Sequence, residues 1–387
     1  MQPPALERPI YFSGLDGLRL FGALAVVIHH IELIKGDTFG TQLWRTAFFQ
    51  GLGPLSVTFF FTLSGFLITY FLFKEKNKSG SINLNSFFIR RSVRLVPVYY
   101  LIILLSFIIL PHVSIFKQPI FSERIFNNFI FKFSFFIVLL PQIPYILFPN
   151  APIPYAVQSW AIGVENIFYL LWPWLIKSKL KFITVFAITL IIFTGIPSIL
   201  IIYFKLNQVV IDKNSAFLVL RFFDTMRFSC MAIGGLFGWI LFLNLDKYNN
   251  FFKRRTFQLI LFTVIGILLA KGVQLKLLSH EMYSILFSFL IINFALVPKS
   301  TLNKFFSILI FDYLGKCSYG IYMYHMIAIQ IAFIALNNIR HTKNLDLLGN
   351  AILYCVTFGI TIATAMVSFR YIEKPFSNSI ISLSNKK

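Results

Sequence analysis

Runs of apolar side chains long enough to cross a bilayer recur along this 387-residue chain, and they leave no stretch in which a sizeable water-soluble domain could form. Crossing ~30 Å of hydrocarbon takes roughly 20 helical residues at ~1.5 Å each, and inside lipid only a helix or a closed barrel satisfies its own backbone polar groups. Hydrophobic residues make up 57% of the chain and charged residues 13%, whereas a soluble domain carries roughly 25% charge. The expected fold is therefore all-α, a polytopic membrane helix bundle. It is expected to form one integral-membrane domain over 1–387, with no fused soluble domain. Ten candidate spans can be read at 18–34, 55–73, 96–110, 159–176, 182–204, 226–245, 259–270, 283–297, 319–336 and 351–369. The first lacks a small-residue cleavage site and reads as a retained span, not a removed signal peptide.

A net charge of +21 could suit a nucleic-acid binder, but the basic residues sit in short clusters between apolar runs. That is the pattern of loops held in the cytoplasm by their charge, so nucleic acid is set aside and the bilayer is the expected partner. Ten spans with both termini cytoplasmic place Lys74/Lys76/Lys78/Arg90/Arg91/Arg94, Lys177/Lys179/Lys181, Lys247/Lys253/Arg254/Arg255 and Lys299/Lys304 on that side. Counting the apolar piece 129–148 as an eleventh span would carry the last three clusters outside. With Pro141 and Pro144 inside it, the piece is read instead as re-entrant or lying at the outer surface. The polar stretch 74–85 reads as a flexible cytoplasmic loop. Cys230, Cys317 and Cys355 lie in apolar segments without metal-ligand spacing, so they read as small core residues, with no disulfide framework or metal site.

Ionisable groups inside spans cost at least ~2.5 kcal/mol each on insertion scales, which makes every one a candidate site residue. Arg19 and His30 are eleven residues apart in LDGLRLFGALAVVIHH. That separation is about 1100° of helical rotation, within roughly 20° of the same face, and about 16 Å of rise. One can face the cytoplasmic interface while the other sits mid-membrane. Two readings stand: a site, or an arginine snorkelling to headgroups with a histidine bonded to a neighbouring helix. His29, about 100° round the helix, reads as the satisfied structural histidine. Glu165, in QSWAIGVENIFYLLWP, enters its span from outside and should reach a depth comparable to that of His30. It is read either as a proton acceptor or tautomer holder, or as a carboxylate paired with a structural cation. Ser318, Tyr322 and His325 share one helical face, either lining a cavity or bonding between helices. Arg91 and Arg94 precede Pro97 at the expected start of the third span, and Arg370 closes the last span with Glu373 and Lys374. Such arginines serve as topology signals or as phosphate ligands. An RxxR at a helix start would add free backbone donors.

Taken in order, LDGLRLFGALAVVIHH, FFFTLSGFLIT, FIRRSVRLVPVYY, SWAIGVENIFYLLWP, RFSCMAIGGLFG, LGKCSYGIYMYHM and RYIEKP resemble the acyltransferase type 3 family of bacterial membrane O-acyltransferases over nearly the whole chain. The resemblance implies transfer of an acyl group, usually acetyl from acetyl-CoA, to a hydroxyl of a cell-surface glycan, lipopolysaccharide or glycolipid, by a multi-pass protein of the bacterial inner membrane. It carries over Arg19, His30, Arg91, Arg94 and Glu165 as functional positions, with Tyr319 and His325 behind them. One departure is visible: the family usually has a serine two residues before the glutamate, where this chain has Gly163. A hydroxyl bond that orients Glu165 from its own helix is therefore missing.

The expected mechanism has acyl-CoA as a donor substrate, with no permanently bound cofactor. Its phosphates rest on Arg19, Arg91, Arg94 and Arg370, and the ~16 Å rise along the first helix accommodates the pantetheine arm. His30 acts as general base or transient acyl carrier, Glu165 orients the imidazole, and Tyr319 or His325 stabilises the oxyanion. The rival class is a transporter or flippase for a lipid-linked or anionic solute, since intramembrane Arg, His and Glu also mark transport paths. An inverted repeat with matching broken helices, which would favour that class, is not visible in the sequence. The acceptor's identity and the oligomeric state are not legible.

Overall fold

A computed structural model describes residues 12–39, 43–116, 128–206, 215–244, 252–275, 277–340 and 345–384, and every regular element among them is helical. In chain order these are α1 (Leu15–Phe39), α2 (Ala47–Ser79), α3 (Leu84–Leu104), α4 (Phe129–Ile137), α5 (Gln142–Leu147), α6 (Ser159–Lys177), α7 (Phe182–Leu190) and α8 (Ile196–Leu206). They continue with α9 (Ser215–Met226), α10 (Phe228–Leu243), α11 (Arg255–Ala270), α12 (Ser279–Leu296), α13 (Thr301–Phe306), α14 (Leu309–Lys316), α15 (Ser318–Arg340), α16 (Leu347–Ser368) and α17 (Lys374–Ser384). Among the described residues, eight helical runs are long and apolar enough to cross a membrane: Leu15–Gly36, Ala47–Ser79, Leu84–His112, Phe182–Leu206, Ala216–Leu243, Ser279–Leu296, Ser318–Leu336 and Leu347–Ser379. The remaining two sequence-read spans fall on α6, of 19 residues, and on the shorter apolar α11. Apolar side chains on the outer surface, such as Ile191 (63% exposed) and Ile199 (67%), are what a lipid-facing flank requires, because lipid tails offer no penalty to them.

The piece 129–148 folds as two short helices, α4 of 9 residues and α5 of 6. At ~1.5 Å per residue neither reaches half of a bilayer core. The chain turns between them at Leu139, which has φ 61°, beside the helix-breaking Pro141. The stretch 74–85 departs from its sequence reading. α2 runs on to Ser79, ends at Gly80 in the left-handed region (φ 72°), and α3 begins at Leu84, so only four residues are loop. Lys and Glu are good helix formers, and Glu75 ties the turn by accepting from the Asn83 N–H (2.8 Å) and pairing with Arg90 (3.4 Å). For the same reason the third helix starts well before residue 96. Asn83 caps it, accepting from the Ser86 N–H at 3.0 Å. Arg91 and Arg94 therefore stand in the helix interior, where the backbone donors are already used, and the expected donors of a helix start are not beside them. Cys355 also departs from its reading: it is exposed, whereas Cys230 and Cys317 are buried.

The centre of the bundle is set by α2 against α10. A side-chain Cβ at Gly65 would overlap the Met231 carbonyl, and one at Gly234 would overlap the Thr62 carbonyl. Only glycine lets these two backbones approach so closely, the usual device for helix association in lipid. The contact fixes the register of its neighbour Ser64, about 100° round the helix. Further along α1, Lys35 and Glu32 form a buried ion pair at 2.5 Å, and the Tyr354 hydroxyl donates to the same carboxylate at 2.6 Å. This pair joins α1 to α16.

Candidate active site

Five helices converge on a cavity lined by Arg19 of α1, Phe61 and Ser64 of α2, Arg91 and Arg94 of α3, Glu165 and Tyr169 of α6, and Ser318, Tyr319 and Tyr322 of α15. Three arginines thus meet from two helices, although sequence separates the first from the others by more than seventy positions. Each is held differently. Arg19 donates to Asp16 one turn earlier (2.9 Å). The Arg91 guanidinium lies over the Tyr169 ring (5.4 Å) and over Phe87 (5.8 Å). Arg94 is exposed. Cations stacked on rings keep their edge N–H donors free for a ligand, and a guanidinium fork matches phosphate geometry.

Glu165 belongs to this arginine group. The Ser64 hydroxyl donates to its carboxylate at 2.5 Å, and the Tyr169 hydroxyl donates to Ser64 Oγ at 3.3 Å. The orienting hydroxyl that Gly163 cannot supply therefore arrives from α2. The room left at Gly163 is filled by Gln142 of α5: a Cβ there would overlap the Gln142 side-chain oxygen. That carboxamide is fully buried, and among the described residues neither its oxygen nor its nitrogen has a hydrogen-bond partner.

His30 sits in a second group. Its Nδ1 lies 3.0 Å from the Val26 carbonyl and 3.3 Å from His325 Nε2, while His325 Nδ1 lies 2.6 Å from the Tyr322 carbonyl. A carbonyl can only accept, so both rings carry their proton on Nδ1. His325 Nε2 is then an acceptor facing the His30 Nδ1–H, and His30 Nε2 holds the free lone pair. This is the arrangement of a general base whose second nitrogen is steadied by an acceptor. His29 packs edge-on to the His30 ring (4.9 Å) and its Nδ1 donates to the Phe49 carbonyl (2.8 Å), the hydrogen-bonded state expected of a structural histidine.

The structure therefore brings together Arg19, Arg91, Arg94, Glu165 and Tyr319, and separately pairs His30 with His325. Among the described residues the hydrogen-bond partners of Glu165 and of His30 are different groups, so the expected steadying of the imidazole by Glu165 is not a direct contact. The two groups are joined through α15: Tyr322 lines the arginine cavity, and its carbonyl receives His325. Tyr319 donates to the Leu95 carbonyl (2.8 Å), which ties α15 to α3. Arg370 does not line the cavity. It is exposed, with its guanidinium over the Tyr371 ring (5.4 Å). Sequence reasoning missed Ser64 and Tyr169. Tyr169 was within reach, four residues after Glu165 on the same helical face. Ser64 had no such signal, because its partner is 101 positions away.

A helical membrane protein with clustered arginines in a central cavity, and a correctly protonated imidazole beyond them, has a site suited to an anionic substrate undergoing proton-assisted group transfer. The chain belongs to the acyltransferase type 3 family, whose acyltransferase domain profile matches residues 12–370. Similar proteins include the peptidoglycan O-acetyltransferase OatA of Listeria monocytogenes, 25% identical over 408 residues, covering 94% of this chain and 56% of that protein. The O-acetyltransferase OatA of Staphylococcus aureus is 24% identical over 387 residues, covering 96% of this chain and 58% of its own length. The chain thus spans less than two thirds of the relatives it matches. No solved structure matches it.

Proposed function

We propose that this protein is a membrane O-acetyltransferase that moves an acetyl group from cytoplasmic acetyl-CoA to a hydroxyl of a cell-surface or exported glycan. The observation that carries the reading is the convergence of Arg19, Arg91 and Arg94 on one cavity. Three guanidiniums gathered on one cavity call for a polyanion, and the diphosphate end of coenzyme A supplies one. Arg370 lies close by in sequence to Glu373, itself a neighbour of Arg94, and is proposed to meet the donor's outer phosphate as it enters. In the proposed topology the eight long runs, α6 and α11 make ten spans, both termini face the cytoplasm, and the host is the bacterial inner membrane. One domain spans the chain, and acyl-CoA is a substrate that comes and goes.

The thioester carbon would stand near His30 Nε2. That nitrogen takes the acceptor's hydroxyl proton, the oxygen attacks the carbonyl carbon, and the carbon–sulfur bond breaks. The proton passes from the imidazolium to the departing thiolate, so coenzyme A and the O-acetyl ester are the products. The same nitrogen would carry the acetyl group if transfer proceeds in two steps. His325 Nε2 and the Val26 carbonyl steady the Nδ1–H as charge develops on the ring. Glu165 holds the arginine group in register. Ser318, Tyr319 and Tyr322 line the arginine cavity on the side of α15, and Tyr319 would act as oxyanion donor by turning its hydroxyl from the Leu95 carbonyl to the reacting oxygen.

Incubating the purified full chain in nanodiscs with radiolabelled acetyl-CoA and de-O-acetylated cell-wall glycan tests this. Label should enter the glycan as a base-labile ester, with one coenzyme A released per ester formed. Binding of acetyl-CoA without any coenzyme A release would refute the reading and favour a transport role.

A further inference from the structure

α9 carries Arg221 and Asp224, close to one turn apart on the same side of the helix, and Arg227 follows at the break between α9 and α10. Two of them are built onto an aromatic stack. The Tyr145 and Trp160 rings lie face to face, with centroids 5.1 Å apart and planes 9° from parallel. The Arg221 guanidinium covers Tyr145 at 4.7 Å, and that of Arg227 covers Trp160 at 5.8 Å. Backbone carbonyls complete their positioning. Arg221 donates to the Tyr145 carbonyl (2.9 Å), and Arg227 donates to those of Asp224 (2.6 Å) and Pro54 (3.1 Å). Arg227 even adopts a left-handed backbone (φ 42°) at the break between α9 and α10, a conformation disfavoured for a side-chain-bearing residue.

So much fixing leaves the polar groups themselves incompletely used. Arg221 Nε is buried and has no hydrogen-bond partner among the described residues. The Asp224 carboxylate is 63% exposed. One of its oxygens lies 3.6 Å from Arg227 Nη2 and the other 3.6 Å from His280 Nε2, both beyond hydrogen-bond length. His280 is in turn held by Thr58, 2.9 Å from its Nδ1. The result is an exposed carboxylate, loosely ion-paired with Arg227 and reached by His280, that still has lone pairs for donors arriving from outside.

This group adjoins the reaction path. Trp160 lies five residues before Glu165 on α6, about 7.5 Å along the helix axis. Phe61, which lines the arginine cavity, packs edge-on to Trp160 at 6.1 Å, and Tyr322 has Tyr145 and Arg227 among its polar neighbours. Gly53, beside Pro54, abuts the ring of His29, the neighbour of His30. We infer that Asp224, with Arg221 and Arg227, forms the binding site for the acceptor: a hydroxyl-rich sugar whose neighbouring hydroxyls donate to the Asp224 carboxylate while the guanidiniums donate to its ring or exocyclic oxygens. The inference rests on the acetyl-transfer reading and deepens it, by placing the acceptor behind the Phe61 and Tyr322 wall of the cavity that holds the donor's arginines. The alternating Arg–Asp–Arg charges suit a ligand that both donates and accepts, as a sugar does and a simple anion does not.

The test uses the full chain in nanodiscs, with acetyl-CoA as donor and peptide-free, de-O-acetylated glycan strands as acceptor. Asp224→Asn should raise the KM for the strands at least tenfold, with kcat at saturating strands and the Kd for acetyl-CoA each within twofold of wild type. Arg221→Lys, which keeps the charge and loses the planar fork, should raise the same KM about threefold or more. A fall in kcat with an unchanged strand KM in both variants would overturn the acceptor site. So would wild-type protein that binds acetyl-CoA and releases coenzyme A to water but shows no affinity for the strands. Wild-type protein that neither binds acetyl-CoA nor releases coenzyme A would instead overturn the acetyl-transfer reading.

Discussion

Removing one oxygen atom from α2 should disable a carboxylate on α6. In Ser64→Ala, Glu165 loses the 2.5 Å hydrogen bond that fixes its carboxylate beside Arg91. A hydrogen bond to a charged acceptor contributes about 1.5–3 kcal/mol. The Tyr169 hydroxyl, 3.3 Å from Ser64 Oγ and already interacting with Glu165, can tighten on the carboxylate and recover part of it. The net loss should fall near the lower end, about 1.5–2 kcal/mol, or roughly a 10- to 30-fold drop in kcat/KM for acetyl-CoA at about 1.4 kcal/mol per decade. Initial rates with radiolabelled acetyl-CoA measure it, and a double-mutant cycle with Glu165→Gln assigns it. If Ser64 acts through Glu165, then Ser64→Ala should cost less than about threefold once Glu165→Gln is in place. Full additivity of the two substitutions would refute the coupling, and a Ser64→Ala enzyme at wild-type rate would refute the role of the bond itself.

Three further outcomes are expected. Gly163→Ser should destabilise the protein by about 1–3 kcal/mol, because the new Cβ meets Gln142 and the Pro141 ring; thermal unfolding in detergent should show a lowered Tm, and adding Gln142→Ala should restore only part of it, since the Pro141 contact stays. Lys35→Met should cost about 3–5 kcal/mol by leaving Glu32 charged and unpaired in a buried position. The pair Glu32→Gln with Lys35→Met should recover more than half in the same melt. Arg91→Ala with Arg94→Ala should weaken acetyl-CoA binding at least tenfold by equilibrium dialysis, with expression and Tm held; unchanged affinity would reduce both arginines to topology signals.

Hydrophobic runs announced the helices, since length and apolarity are local properties. Their ends were less legible where charge misled: Lys74, Lys76 and Lys78 read as a loop, yet they extend α2, because lysine favours helix whenever the charge can reach water. Helical phase put Arg19 and His30 on one face of α1, yet Arg19 lines the arginine cavity while His30 meets His325. Depth along a single helix did not reveal what stands opposite. Glu165 and His30 were expected side by side, but the glutamate is held by Ser64 and the imidazole by Val26 and His325. Such pairings depend on how α2, α6 and α15 rotate against one another. That rotation is fixed by contacts like Gly65 on Met231 and Gln142 on Gly163, between residues whose sequence separation carries no periodic signal.

The most direct test of the account is acetyl transfer by His30→Ala, measured beside binding of acetyl-CoA to the same preparation. Transfer to glycan should fall to the uncatalysed background while acetyl-CoA still binds through Arg19, Arg91 and Arg94. Transfer at the wild-type rate by His30→Ala would contradict the placement of the reacting proton on that histidine, and with it the central claim.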